Sequence, residues 1–107
     1  MANNYKNAKL DLTTTDATTL YTAPTATTTL VKSILVSEDS GGADTITVTI
    51  TDASAAVFSL FKVLAIGANT TVELLTEPLV VQENEILKVT AATANRLHVV
   101  ASLLEIN

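Results

Sequence analysis

Cysteine and tryptophan are absent from this 107-residue chain, and aromatic residues make up only 4% of it. Without cysteine, neither a disulfide framework nor a thiolate metal site is possible. The shortage of aromatic rings argues against a sugar-binding platform, which usually presents exposed aromatic side chains. A hydrophobic core in this chain must therefore be built from valine, leucine, isoleucine and alanine.

Positive charge is also scarce, with 6 Lys and Arg residues against 11 Asp and Glu residues and a net charge of −5. Such a chain is repelled by nucleic acid and by anionic membrane surfaces, so we expect neither as a partner. The first ten residues lack the basic-then-apolar order of a signal peptide, and no apolar run reaches membrane-spanning length. We expect synthesis in a cytoplasm.

The clearest pattern in the sequence is the alternation within residues 44–51. Ile46, Val48 and Ile50 alternate with threonines, and successive side chains of an extended strand point to opposite faces. β-Branched residues also favour strand over helix. This stretch predicts a strand with one face on a core and a threonine face turned to water or to a partner.

The same pattern predicts eight or nine short strands, at residues 6–12, 18–22, 30–37, 44–51, 56–66, 70–75, 79–81, 86–93 and 96–106. Turn signals recur about every 8–12 residues, which is typical of an all-β antiparallel β-sandwich of the jelly-roll or immunoglobulin-like type. We expect one such domain over residues 8–107, preceded by a flexible N-terminal arm at residues 1–7.

Two predicted strands, 30–37 and 56–66, carry apolar residues on both faces. Strict alternation groups Leu30 with Ile34 and Val36, and Val31 with Leu35; it groups Phe58 with Leu60 and Leu64, and Val57 with Phe61 and Val63. A helix is the alternative for residues 56–66, because Phe58, Phe61 and Leu64 also fit a period of 3.6. Apolar surface in excess of what the core of one small sandwich can bury is commonly covered in a subunit interface. We expect that interface to involve Tyr5, Tyr21, Val31, Leu35, Val57, Phe61 and Val63.

No residue set in the sequence indicates catalysis, so we expect neither an enzyme nor a bound cofactor. His98 is the only histidine, which leaves little for a metal site or a Ser-His-Asp system and predicts a plain strand residue. Glu38, Asp39 and Asp44 flank the Gly41-Gly42 turn and could hold calcium. They lack the alternate-position spacing of a dedicated calcium loop, so solvated turn acids are the favoured interpretation.

Several segments together resemble small virion structural proteins of tailed bacteriophages. They are Leu20-Tyr21-Thr22-Ala23-Pro24, Leu30-Val31-Lys32-Ser33-Ile34, residues 44–52, Ile86-Leu87-Lys88-Val89-Thr90 and residues 97–106. In such proteins a YTAP segment precedes a long VKSI strand, and an LKV strand precedes the last one. The resemblance implies a β-sandwich that works as an oligomer on the virion, without catalytic residues.

From this resemblance we expect a capsid decoration or cement protein that binds the major capsid protein or another virion protein as a homo-oligomer, with a trimer favoured. A tail, neck or fibre component is the alternative within the same class. A free-standing carbohydrate- or protein-binding module is the alternative of another class. Many identical weak contacts on a capsid lattice would together give strong binding.

Overall fold

The computed structural model describes residues 2–107. This part of the chain contains no helix and nine strands: β1 (Asn3–Asp11), β2 (Thr18–Thr22), β3 (Thr28–Glu38), β4 (Asp44–Thr51), β5 (Val57–Ile66), β6 (Thr71–Glu73), β7 (Leu79–Val81), β8 (Ile86–Ala91) and β9 (Leu97–Ile106). The predicted all-β class is confirmed. Residues 44–51 form β4 with the predicted bounds.

The strands form two antiparallel sheets that pack face to face. The five-stranded sheet has the order β1-β9-β3-β6, with β7 also paired to β3, and the four-stranded sheet has the order β2-β8-β4-β5. β6 and β7 lie along the same side of β3, one near each end, as one interrupted strand. Counted in this way, eight strands have the order of a jelly roll, the first of the two sandwich types that the sequence predicts.

The core between the sheets is aliphatic. Every buried hydrophobic residue of the described chain is leucine, isoleucine, valine or alanine, and Ile46 and Val48 of β4 are 0% exposed. Along β9, Leu97, Val99 and Ala101 are also buried, while the residues between them are half-buried. Burial of one face of each sheet is the main stabilising contribution, because apolar surface removed from water lowers the free energy of the folded state.

A bulge in β3 changes which of its residues face the core. The pairing of β3 with β9 shifts register between Val31 and Ser33, so Lys32 is an extra residue on one strand. Val31, Ile34 and Val36 are 0% exposed, whereas Leu35 is 39% exposed. The predicted grouping of Leu30 with Ile34 is wrong, because an inserted residue exchanges the two faces for everything beyond it.

β5 contains two irregularities in its pairing with β4. They place Phe58, Phe61 and Leu64, which are three residues apart, opposite Ile50, Val48 and Ile46. Phe61 and Leu64 pack against the core, whereas Phe58 is 54% exposed. The predicted grouping of Phe61 with Val57 and Val63 is therefore wrong, because Phe61 packs against the core while the two valines are exposed. The helix-like spacing of Phe58, Phe61 and Leu64 comes from bulges. Val63 lies at the second irregularity with φ of 52°, a conformation that is rare for a β-branched residue.

The N-terminal residues are part of the five-stranded sheet. Asn3 pairs with Ile106 and Asn7 with Ser102, and the amides of Ala2 and Asn107 donate to each other's carbonyl oxygens at 2.7 and 3.0 Å. The predicted flexible arm at residues 1–7 is thus wrong for residues 3–7, and Met1 lies outside the described residues. Backbone pairing along an edge strand requires no apolar alternation, so the polar sequence gave no signal for it.

Two neighbouring substitutions in β3 test the bulge. Ile34→Ala removes a fully buried side chain and should lower the free energy of unfolding by about 2–5 kcal/mol. Leu35→Ala truncates a side chain that is 39% exposed and should cost less than about 1 kcal/mol. Chemical denaturation of both variants measures the difference. Equal losses, or a larger loss for Leu35→Ala, would contradict the position of the bulge.

Candidate interaction surface

Apolar side chains form a row across the outer face of the five-stranded sheet. The strand registers place one residue from each of four neighbouring strands in line, and these define the apolar row: Tyr5 of β1, Leu104 of β9, Leu30 of β3 and Val80 of β7. Tyr5 is 76% exposed and Val80 is 48% exposed. The ammonium group of Lys32 lies 5.9 Å from the centre of the Tyr5 ring, within the range of a cation–π contact.

A second row crosses the same face at Val100 of β9, which precedes Leu104 by four residues. It is defined here as the charged row and consists of Lys9 of β1, Val100 of β9, Leu35 of β3 and Glu73 of β6. It begins with a cation at one sheet edge and ends with an anion at the other. Among the described residues, Lys9 makes no ion pair.

Glu73 fills the gap between β6 and β7 along β3. Its carboxylate accepts hydrogen bonds from the amides of Ile34 at 2.9 Å and Leu75 at 3.1 Å, and from the Ser33 hydroxyl. Partial burial raises the pKa of Glu73, but these hydrogen bonds more than offset that effect, so its pKa lies below the ordinary value. The anion at this end of the charged row is therefore held in place and ionised at neutral pH.

The outer face of the four-stranded sheet is rich in threonine and is defined here as the threonine face. Thr47, Thr49 and Thr51 of β4 lie opposite Thr90, Lys88 and Ile86 of β8. Val57 and Val63 of β5 border this face and are 63% and 60% exposed, while Val63 and Thr47 line one shallow depression. Among the outward residues of β4 and β8, only Lys88 is charged. A partner that covers these positions would therefore bury few charged groups.

A hydrogen-bonded network joins the two sheets near one end of the sandwich. The Tyr21 hydroxyl of β2 lies 2.5 Å from a carboxylate oxygen of Glu105 and 2.8 Å from the Thr29 hydroxyl. The other carboxylate oxygen of Glu105 lies 3.0 Å from the Lys6 ammonium group. Glu105 is only 4% exposed, and these partners satisfy a carboxylate that would otherwise be costly to bury.

The network shifts the pKa of both acidic members. Burial, followed by the hydrogen bond to Glu105, raises the pKa of Tyr21 from 10.0 to about 12. The hydrogen bond from Tyr21 lowers the pKa of Glu105, burial opposes this, and Lys6 lowers it further. The Tyr21 contribution to stability is thus complete below pH 10 and is lost as the pH rises through about 12.

Two of the three turn acids, Glu38 and Asp44, are buried, so the interpretation of them as solvated is wrong. Asp39 is exposed, as predicted. Glu38 is 1% exposed and Asp44 is 7% exposed. Glu38 accepts hydrogen bonds from the amides of Ser40, Gly41 and Asn69 and from the Ser40 hydroxyl. Asp44 accepts from two amides, at Thr45 and Thr93. Both carboxylates hold loops together, and within residues 2–107 no cluster of three or more acidic, histidine or cysteine side chains is suited to a metal ion.

His98 lies on the outer face of β9 between two carboxylates. Its Nε2 atom is 3.3 Å from Asp11 and its Nδ1 atom is 3.6 Å from Asp39. Leu97 and Val99 on either side of it are buried, so the predicted position on the side opposite these residues is confirmed. Both ring nitrogens of His98 therefore face acidic side chains at this end of the sheet.

The seven predicted interface residues are dispersed. Tyr5 and Leu35 lie on the outer face of the five-stranded sheet, and Val57 and Val63 border the threonine face. The other three have different positions: Val31 is 0% exposed in the core, Phe61 packs against the core, and Tyr21 belongs to the network between the sheets. Alternation alone missed Leu30, Leu104 and Val80, since only the strand registers align them.

Comparison of the sequence with models of known protein families gives no match, and no curated protein matches it significantly. No helix in the described chain is long and apolar enough to cross a membrane. The surfaces described above are therefore the basis for a functional interpretation.

Replacement of Glu38 tests its role as an anionic acceptor. Hydrogen bonds, led by that of the Ser40 side chain, lower the pKa of Glu38 from 4.5 to about 2. Because the folded-state pKa is the lower one, its stabilisation is present above pH 4.5 and is lost as the pH falls through about 2. Glu38→Gln should reduce stability at neutral pH and remove part of the acid dependence, measured by denaturation across this range. The exposed Glu77→Gln serves as the control, and equal curves for both variants would contradict this role.

Removal of one hydroxyl tests the network between the sheets. Tyr21→Phe leaves the buried Glu105 carboxylate with one partner fewer and should lower the free energy of unfolding by about 1–3 kcal/mol. Tyr5→Phe is the matched control, because its ring is 76% exposed, and it should be nearly neutral. An absorbance titration should also lose the ionisation near pH 12 in Tyr21→Phe. A neutral Tyr21→Phe would show that the network adds nothing to stability.

Proposed function

We propose that this chain is a non-enzymatic structural protein of a bacteriophage virion, and specifically a capsid decoration or cement protein that binds the outer head shell. The observation that carries the proposal is the exposure of apolar side chains on both outer faces of the sandwich, at Tyr5, Val80, Val57 and Val63. A small protein that exposes apolar surface on two faces is suited to bridge other protein chains.

The strand order also supports this function. Jelly rolls are a common architecture of viral capsid domains, and the sequence segments around Tyr21 and residues 30–34 resemble virion proteins of tailed phages. Fold alone does not define function, so the surface chemistry has to agree with it. A net charge of −5 keeps such a protein from binding the packaged DNA or its fragments.

We assign the shell contact to the threonine face. Lys88 is the only charged residue among the outward positions of β4 and β8, and the exposed side chains of Val57 and Val63 lie at the border of this face. Threonine hydroxyls exchange hydrogen bonds with a protein surface at little desolvation cost, and the two valines add apolar contact. The partner is the major capsid protein, and repetition over the lattice gives strong total binding from modest single contacts.

Binding to shells that lack the protein tests this function. Purified protein should co-sediment with empty heads up to a fixed number of copies, and images of the decorated particles should place it on the outer shell. Thr49→Asp should weaken binding by about tenfold, which corresponds to about 1.4 kcal/mol. Thr76→Asp makes the same charge change in an exposed loop and should bind normally.

The other candidate functions give different results in the same experiment. Density confined to tails, necks or fibres would indicate another virion component. Absence from all particle fractions, together with binding to glycans or to a non-viral protein, would indicate a free-standing binding module and would contradict a structural role in the virion.

A further inference from the structure

The two rows on the outer face of the five-stranded sheet are self-complementary. All four positions of the apolar row carry an apolar or aromatic side chain, so reversing the order of the row still places apolar on apolar. In the charged row the reversed order exchanges Lys9 with Glu73 and Val100 with Leu35. When a second copy is turned over onto the first with its strands parallel to those of the first, it presents each row in this reversed order. Lys9 of each copy then lies over Glu73 of the other, and each apolar residue lies over another apolar residue.

We propose that two copies of this chain associate by stacking these outer faces about a two-fold axis that runs along the strands, between β9 and β3. The apolar row of each copy lies on that of the other, with Tyr5 over Val80 and Leu104 over Leu30. The charged rows coincide in the same way, with Lys9 over Glu73 at both ends. This is an isologous interface, in which each contact occurs twice.

The orientation of the axis follows from the charges. An axis across the strands, through the polar row of Asn7, Ser102 and Ser33 between the two rows, would lay the charged row on the apolar row. Lys9 and Glu73 would then be desolvated against apolar side chains without a partner, which is costly. The axis along the strands avoids this, so it is the arrangement that the surface favours.

The remaining charges on this face agree with the same axis. In the row at the far end, Asp11, His98, Ser37 and Thr71 are aligned by register, and the axis places Asp11 over Thr71 and His98 over Ser37. Lys32 and Asp39 are the charged residues near the axis. The contact of Lys32 with the Tyr5 ring directs its ammonium group toward the β1 edge, and the Asp39 carboxylate lies 3.6 Å from Nδ1 of His98 in its own chain. No row brings like charges together.

The size of the surface sets the strength of the association. Four strands at about 4.8 Å and five rows at about 6.7 Å cover about 640 Å² per copy, or about 1,300 Å² in total. This is at the lower end for specific interfaces, so the dimer should form reversibly with a dissociation constant of about micromolar order. The strands of two aligned, stacked sheets cross at an angle of about 30°. Residues near the centre of the interface are therefore in closer register with the other copy than residues at its ends.

This inference does not depend on the proposed function, because association is measured without particles. It differs from the trimer that the sequence resemblance favours, since a two-fold interface closes with two copies. It also leaves the threonine faces of both copies free, so a failure of shell binding and a failure of dimerisation are separate results.

Sedimentation velocity of the full chain over a range of concentrations tests the dimer. We expect a shift from monomer to dimer with increasing concentration, weaker at high salt because the Lys9–Glu73 pairs are screened. Lys9→Glu places two like charges together twice and should weaken association by at least about tenfold, that is by about 1.4 kcal/mol. Leu35→Lys should do the same, whereas Val57→Lys, an exposed strand residue on the opposite face, should not.

Zero-length cross-linking of the unmodified protein identifies the contact directly. Within one chain Lys9 and Glu73 lie three strand spacings apart, about 14 Å, so a carbodiimide cannot join them. In a mixture of ¹⁵N-labelled and unlabelled chains, we expect mixed-label Lys9–Glu73 cross-links by mass spectrometry. A monomer at all concentrations, a trimer, or a dimer that is insensitive to both Lys9→Glu and Leu35→Lys would overturn the proposal.

Discussion

The antiparallel pairing of β9 with β3 is the constraint on which the other features depend. It runs the length of both strands, and its single register shift between Val31 and Ser33 decides which side chains of β3 enter the core. Because side chains alternate with a period of two, one extra residue exchanges inside for outside. The same shift that buries Ile34 turns Leu30 and Leu35 outward, and so creates both rows on the outer face.

Polar groups secure the ends of an otherwise aliphatic sandwich. Glu105 is held by Tyr21 and Lys6 at one end, and Glu38 collects loop amides at the other. Each of these carboxylates is buried and fully partnered, which is the condition under which a buried charge does not destabilise a fold. The fully buried hydrophobic residues between these ends are all aliphatic, with Phe61 packed against them.

Alternation in the sequence was sufficient for the strands but not for the surface. β4 and β9 can be recognised as strands from the sequence, because their buried and outward residues alternate with a strict period of two. The bulges of β3 and β5 have no comparable signal, since Lys32 and Val63 are ordinary strand residues by composition. The pairing of residues 3–7 with β9 depends on a distant strand, which local patterns do not encode. Glu38 has local partners in Ser40 and Gly41, but its contact with the Asn69 amide joins loops 31 residues apart. Recognition of the rows requires the register across four strands.

The outward position of Leu30 and Leu35 beside the inward Val31, Ile34 and Val36 is the central structural claim. It is tested most directly by methyl NMR of dilute protein with a soluble paramagnetic probe, which broadens signals of solvent-exposed groups. We predict strong broadening for the methyl groups of Leu30 and Leu35 and protection for those of Val31, Ile34 and Val36. Protection of Leu30 together with broadening of Val31 would contradict the bulge and, with it, the rows on the outer face.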